Sequence, residues 1–122
     1  MSSLTKSHIT KIYKKCLNLL KDKPNGFIMF KKLSCYGWCK WDEDVLEIDH
    51  RKDLLRTAYH ECVHYLYPDW SETQVIYTES RLINQCSIIE NIKFLKILTE
   101  KVYESSIKEA RAKRKKYASQ NR

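Results

Sequence analysis

The segment His60-Glu61-Cys62-Val63-His64 brings two imidazoles and one carboxylate close together in the chain. Residues four apart on a helix project from the same face, so His60 and His64 can bind one metal ion together, with Glu61 beside them. A Zn²⁺ ion with three protein ligands keeps a position for a water, lowers the pKa of that water to about 7 and polarises a substrate carbonyl. A nearby carboxylate can pass the proton of this water to a leaving amine. The pattern predicts His60 and His64 as zinc ligands and Glu61 as the general base.

Two histidines on a solvated helix face, with Glu61 as part of the same polar face, are the simpler interpretation. Tyr59, Cys62 and Val63 make this helix too apolar for a fully exposed face. Buried histidines also need partners for their ring nitrogens. We therefore favour the metal site, and we predict that Cys62, on the core side of the helix, has a packing role.

The same region resembles the zincin metallopeptidases, which carry a His-Glu-x-x-His helix in their active site. A strand ending in Leu46-Glu47-Ile48-Asp49 precedes the helical segment 53–64, and the resemblance covers about residues 36–83. The chain is most similar to compact members, including small phage-type metallopeptidases, and more distantly to the SprT-like proteases. The resemblance implies a zinc-dependent peptidase that acts on a protein or peptide through a zinc-bound water activated by Glu61.

The resemblance also implies that an edge strand before the helix aligns an extended peptide. In this chain that strand would be one of the segments 36–41 or 45–49. Such a strand binds its substrate by strand addition, through main-chain hydrogen bonds.

The third zinc ligand distinguishes the zincin subclasses. No histidine follows His64, and position 70, where a metzincin would place its third histidine, is Trp70. The chain thus departs from the metzincins and from the SprT-like enzymes, and a carboxylate is expected, as in the gluzincins. The candidates are Asp69, Glu72, Glu79 and Glu90.

Glu72 and Glu79 are seven residues apart and share a helical face. A tight antiparallel pair of helices would bring Glu79 level with His60. A splayed pair with Glu72 in the first turn matches the resemblance better, because the small phage-type proteins carry a carboxylate shortly after a proline-containing turn. We predict Glu72 as the third ligand, with Glu79 either the ligand itself or an acceptor for an imidazole N–H. Each glutamate taken alone is also consistent with an exposed carboxylate near a helix N-terminus.

Other residues near the motif are weaker candidates. His50 stands at the strand-to-helix junction, where a solvated loop histidine is the simpler interpretation. Tyr65 and Tyr67 would be able to stabilise an oxyanion, although tyrosines beside a helix end usually pack. Cys35 and Cys39 are weak candidates for a second metal site.

The elements around the motif are predicted from periodicity. Apolar residues recur at helical spacing over residues 5–21 and again over 54–66, with Asp53 as the expected N-cap. The intervening segments 27–33 and 36–49 are rich in aromatic and β-branched residues, which predicts strands.

Within the second strand segment, residues 41–45 are predicted to form a turn. Leu46 and Ile48 share one face of the following strand while Val45, Glu47 and Asp49 share the other, the pattern of a half-buried strand.

A capping pattern at Ser71 and Gln74 begins a second helical region. Its apolar stripe continues for more than 25 residues. One unbroken helix of that length would rise roughly 45 Å, more than a domain of this size is wide. A break is therefore expected near Asn84-Gln85.

The 122 residues are 43% apolar and 31% charged, with two Gly and two Pro. This composition predicts one helix-rich globular domain and disfavours disordered, collagen-like or many-stranded β architectures. Five cysteines without repeated spacing and no signal-like apolar start predict reduced thiols and a cytoplasmic location, in the host if the chain is virus-encoded. No apolar segment approaches the roughly 18 residues of a membrane span, so no membrane partner is expected.

The formal charge of +8 is concentrated at the C-terminus, where residues 105–122 hold seven basic groups and one acidic group. A solvated, frayed helix end is the simpler interpretation of this stretch. Nucleic-acid binding through phosphate contacts is the other, and the SprT-like proteases, which act on proteins attached to DNA, provide an analogy. The candidate nucleic-acid-binding residues are Arg111, Lys113, Arg114, Lys115 and Lys116.

These patterns predict an α+β, zincin-like fold with an N-terminal helix, a small antiparallel sheet, the motif helix and C-terminal helices. Residues 1–104 are the expected zincin-like domain, and 105–122 the basic C-terminal tail. Zinc-dependent peptide-bond hydrolysis is the favoured function. A nucleic-acid-binding accessory protein with a structural or degenerate metal site is the alternative, and a folded interaction protein without metal is a third hypothesis.

Overall fold

The computed structural model of the chain describes residues 4–102 and 114–115. Its first element, α1 (Lys6–Asp22), is the amphipathic helix predicted for residues 5–21. Thr5 caps this helix, because its side chain accepts a hydrogen bond from the His8 N–H while the His8 ring accepts one from the Thr5 N–H. The buried face consists of Ile9, Ile12, Tyr13, Cys16, Leu17 and Leu20.

Three short strands form one sheet: β1 (Ile28–Phe30), β2 (Gly37–Lys40) and β3 (Val45–Ile48). Their order is β1-β3-β2, with β3 antiparallel to β2 and parallel to β1. The prediction of an antiparallel sheet is therefore wrong for β1, and the sheet is mixed.

The connections explain this topology. A tight 3-10 turn at Trp41–Glu43, completed by Asp44 at a φ of 54°, returns the chain as β3 antiparallel to β2, and it confirms the predicted turn. The longer connection between β1 and β2 lets β1 pair with the other side of β3. Because β3 is central, segment 45–49 cannot be the substrate-aligning edge strand, and that part of the prediction is wrong. In the part of the chain that the structure describes, β2 does lie at an edge of the sheet.

Strand β3 shows the predicted alternation but not the predicted exposure. Leu46 and Ile48 are fully buried on the face that packs against the helices. Glu47 and Asp49, on the other face, are also buried. Cationic side chains that lie close in space cover both carboxylates: Lys31 and Lys40 contact Glu47, and Arg51 contacts Asp49 at 2.6 Å.

The motif lies on α2 (Leu54–Leu66). Asp53 holds the N-cap position as predicted, but its side chain makes no capping hydrogen bond, because a φ of 43° places it in the left-handed region. The helix packs its apolar side against the sheet and α1, and Cys62 is fully buried there, which confirms its predicted packing role.

The C-terminal helical region is divided as predicted into α3 (Glu72–Gln85) and α4 (Ile88–Glu100). Ser71 caps α3 by accepting a hydrogen bond from the Gln74 N–H. Ser87 interrupts the helical path and caps α4 in a reciprocal box with Glu90. The four helices of the described ranges and the small sheet make the fold α+β, the predicted class.

The basic tail lies mostly outside the described residues. Arg114 and Lys115 are helical and exposed, whereas Arg111, Lys113 and Lys116 are not described. All five cysteines are free thiols. Among the described helices, none combines the length and the apolarity that crossing a membrane requires.

Candidate metal centre

The two histidines of the motif lie side by side on α2. His60 and His64 are one helical turn apart, and their ring centroids are separated by 4.7 Å. Each side chain is only 18% exposed. Their ring nitrogens contact carboxylates of α3, so the rings are not the solvated surface pair of the simpler interpretation.

Helix α3 begins with Glu72, whose carboxylate lies between the two imidazoles. One oxygen is 2.8 Å from Nε2 of His60, and the other is 2.8 Å from Nε2 of His64. The turn that follows Pro68 and the Ser71 cap place Glu72 in the first turn of α3, facing α2. One ligand atom from each of these three residues lies within 4.8 Å of the others. Among the described residues, no other group of three or more His, Cys, Asp or Glu side chains meets this condition.

Glu79 contacts the same cluster from its far side. Its Oε1 is 3.0 Å from Nδ1 of His60, so Glu79 binds the ring nitrogen that does not face Glu72. The other oxygen, Oε2, is buried without a hydrogen-bond partner, and Nη1 of Arg56 lies 3.9 Å from it. This geometry favours Glu72 as the third ligand and Glu79 as the acceptor for an imidazole N–H. The sequence had left open whether Glu79 has that role or is itself the ligand.

Charge around His60 sets its protonation. Burial lowers the pKa of the ring, but the hydrogen bond with Glu79 and the negative charges of Glu61 and Glu72 outweigh burial, so the net pKa is raised. A ring between two carboxylates therefore favours the imidazolium form when no metal is bound. Metal binding must displace this proton, because only a neutral imidazole is a ligand.

Glu61 lies on the neighbouring side of α2 and is 97% buried as a residue. Burial is the main cause that raises the pKa of its carboxyl to about 7; His60 opposes the shift, and Glu72 and Glu79 add to it. No hydrogen bond to this carboxylate occurs within the described part of the chain, so the charge of His60 is the main compensation for its ionised form.

Gly37 is a site residue that the sequence analysis missed. A Cβ atom there would lie 2.8 Å from the backbone oxygen of Glu47, 3.1 Å from Cγ2 of Thr57 and 3.4 Å from Cγ of Glu61. Only a glycine lets β2 approach α2 this closely. An isolated glycine within a strand pattern is the signal that would have indicated such an approach.

A cleft of about 440 Å³ opens beside His60, Glu61 and Glu72. It lies between the start of β2 and the facing sides of α2 and α3. Its walls also include Cys35, Tyr36, Gly37, Arg56, Thr57 and Ile76. The general base predicted from the sequence therefore faces a space that a substrate can enter.

The donor types of the cluster are those of a zinc site, and its ligand atoms lie within 4.8 Å of one another. Two imidazoles and one carboxylate are a known zinc donor set for catalytic sites. Ligand atoms of a tetrahedral site with bonds of about 2.0–2.1 Å lie about 3.3 Å apart. The carboxylate of Glu72 would have to withdraw by about half an ångström from each ring to reach this spacing. Because its side chain is 61% exposed, it has room to do so.

The weaker candidates lie outside the cluster. His50 is exposed and packs its ring against Phe30 at 5.2 Å. The Tyr65 hydroxyl donates to Asp44, Tyr67 stacks on Trp70, and neither residue lines the cleft.

The remaining acidic and thiol candidates are also separate from the three-residue cluster. Asp69 is exposed in the turn before α3, and the carboxylate of Glu90 caps α4. The Cys35 thiol donates to the Gly37 carbonyl, and burial is the main cause that raises the pKa of Cys39 to about 12. Neither thiol belongs to a metal-binding group in the described ranges.

Comparisons of the chain with protein-family models, with curated proteins and with solved structures found no match. The resemblance to the zincins therefore rests on the motif and on the order of strand and helix around it. Membership of that family stays a prediction.

Proposed function

We propose that this protein is a zinc-dependent metallopeptidase. His60, His64 and Glu72 are the proposed zinc ligands, and Glu61 is the proposed general base. The observation that carries the proposal is the position of the Glu72 carboxylate, 2.8 Å from Nε2 of each imidazole, next to a buried Glu61 that lines an open cleft.

Each side chain of the site has a defined task in this proposal. Zinc held by the three ligands would polarise the scissile carbonyl and acidify a water. Glu61, which lines the cleft, accepts the proton of the attacking water and delivers it to the leaving nitrogen. Glu79 holds the Nδ1–H of His60, which leaves the lone pair of Nε2 for the metal.

In this proposal the edge strand β2 binds the substrate backbone. Within the described residues, β2 pairs with a strand on one side only, and its first residue Gly37 lines the cleft. An extended peptide that adds to the free side of β2 would run past the cleft and bring its backbone to Glu61. The proposed substrate class is therefore an extended or locally unfolded segment of a protein.

The test separates metal binding from catalysis. Glu61→Gln preserves the size and polarity of the side chain but removes the base. Zinc content by elemental analysis should stay near that of the wild type, while cleavage of an unfolded protein substrate should fall to background. The matched control is Glu43→Gln, which removes a carboxylate that is 65% exposed in the turn before β3 and should retain both zinc and activity.

Three results would contradict the proposal. A wild-type protein, purified without an affinity tag, that neither contains nor takes up zinc would exclude it. Cleavage by Glu61→Gln at the wild-type rate would exclude the role of Glu61. A zinc-loaded wild type that cleaves no unfolded substrate would instead favour the accessory protein with a structural or degenerate metal site.

A further inference from the structure

Helix α1 concentrates positive charge on its exposed face. The first acidic residue of the helix is Asp22, at its C-terminal end. We call the lysine surface of this helix the α1 basic face. It consists of the exposed residues Lys6, Lys11, Lys14, Lys15 and Lys21.

The lysines of the α1 basic face have no salt-bridge partner among residues 4–102 and 114–115. By contrast, Lys23 binds Asp44 at 2.9 Å, and both Lys31 and Lys40 bind Glu47. The α1 basic face thus gathers five lysines on one helix without an ion-pair partner in the described ranges.

This arrangement is unfavourable for an isolated helix. Lys11 lies three residues before Lys14 and four before Lys15, spacings at which like charges repel on a helix surface. Lys6 stands in the first turn, where a positive charge opposes the helix dipole, and no acidic residue occupies that turn. A bound polyanion would relieve both effects.

A groove next to these lysines identifies the kind of polyanion. It has a volume of about 210 Å³ and is lined by Lys11, Lys15, Tyr67 and Trp70, among others. The two aromatic rings stack 4.1 Å apart and nearly parallel, at 12°, and Nζ of Lys15 is 5.6 Å from the centroid of Tyr67. Aromatic rings bind nucleobases by stacking whatever the base, and because Tyr67 and Trp70 already face each other, a base would stack on an outer face of the pair. Ammonium groups beside the rings would bind phosphates. An acidic peptide would satisfy the lysines but offers the rings no flat partner. An anionic membrane also suits Tyr and Trp at its surface, so binding to lipid vesicles is measured beside binding to the oligonucleotide.

We propose that the α1 basic face and the Tyr67–Trp70 groove bind single-stranded nucleic acid, with phosphates on the lysines and a base against the rings. The surface is distinct from the C-terminal basic tail. It is also independent of the proposed peptidase function, because none of its residues is a proposed zinc ligand or lines the metal cleft.

The experiment measures binding of a fluorescein-labelled oligothymidylate to the full chain by fluorescence anisotropy, at several salt concentrations. Lys11→Ala/Lys15→Ala removes two charges from the groove. The matched control, Lys93→Ala/Lys96→Ala, removes two exposed lysines from α4 and changes the net charge equally. Both double variants retain the basic tail, so the tail contributes equally to each.

Loss of two phosphate contacts should lower the slope of log K against log salt by about 1.4. If affinities converge near about 1 M salt, this equals about a 25-fold weaker affinity at about 0.1 M salt. The α4 control should keep the slope of the wild type. Trp70→Leu should weaken binding about ten-fold without changing the slope, because stacking involves no counterions.

Equal slopes and affinities for the two double variants would overturn the proposal. So would binding of Lys11→Ala/Lys15→Ala to the oligonucleotide at the wild-type level together with a loss of binding to phosphatidylserine vesicles, which would assign the surface to anionic lipid. All four changed lysines are exposed, and thermal unfolding of each variant verifies that the fold is retained.

Discussion

Replacing Glu72 by alanine should abolish tight zinc binding while leaving the metal-free fold almost unchanged. In the metal-free protein this carboxylate joins His60 and His64, but its side chain is 61% exposed. Exposed charged pairs contribute about 0–1 kcal/mol to stability, so the metal-free variant should unfold within a few degrees of the wild type. The large effect is expected only when zinc is present.

The size of that effect follows from linkage. Free zinc at about 100 times its dissociation constant stabilises the wild type by about 2.7 kcal/mol, which raises the melting temperature by about 10 °C for a domain of this size. If loss of one of three ligands weakens binding by at least about 100-fold, the same zinc concentration adds only about 0.4 kcal/mol to the variant. The zinc-induced shift should therefore fall to about 2 °C.

The assay is thermal unfolding with and without zinc, together with competition against a chromophoric chelator. Glu79→Gln should retain binding with about 10–100-fold lower affinity, the usual cost of disturbing a residue that orients a histidine ligand. Glu100→Ala, which removes an exposed carboxylate of α4, serves as the control and should behave as the wild type. Full zinc binding by Glu72→Ala, or loss of binding by Glu79→Gln alone, would refute the assignment of Glu72 as the third ligand.

Three further predictions concern the scaffold. Gly37→Ala should lower the stability by about 1–3 kcal/mol in urea unfolding, because its Cβ would lie 2.8 Å from the Glu47 backbone oxygen; unchanged stability would show that β2 can move without cost. Hydrogen bonds from the Arg51 side chain hold the pKa of Asp49 well below its usual range. The charged carboxylate therefore stabilises the fold fully above its ordinary pKa of about 3.9, and this stabilisation is lost as the pH falls from there through the lower pKa of the folded state. Asp49→Asn should accordingly lose less stability than the wild type between about pH 5 and pH 3, and parallel losses would exclude this carboxylate as a source of acid sensitivity. Tyr59→Phe should cost about 1 kcal/mol and a few degrees of melting temperature, because it removes a 2.8 Å hydrogen bond to Asn91 and keeps the ring stack; calorimetry showing no shift would contradict this value.

The helices of this protein were predictable because their signals are local. The apolar stripe of α1 and the spacing of His60 and His64 lie within a few turns of chain. The break between α3 and α4 was predicted from length, and Ser87 provides it through a capping box with Glu90.

The errors arose where the outcome depends on distant residues. Strand β1 is parallel to β3 because β3 lies between β1 and β2 in the sheet. No local sequence pattern indicates on which side of β3 another strand will pair. Asp53 occupies the N-cap position without capping, because the chain enters α2 in a left-handed conformation. Glu47 is buried on the outer face because Lys31 and Lys40 meet there from two different segments.

The sequence by itself determined the donor types of the site and the shared helical face of its two imidazoles, since side-chain chemistry and a four-residue spacing are properties of one short segment. Only the tertiary structure shows which ring nitrogens Glu72 and Glu79 contact. Their positions relative to the rings depend on the angle at which α3 packs against α2, and packing of many side chains across the core sets that angle. The approach of Gly37 to Glu61 was likewise decided by the contact of β2 with α2.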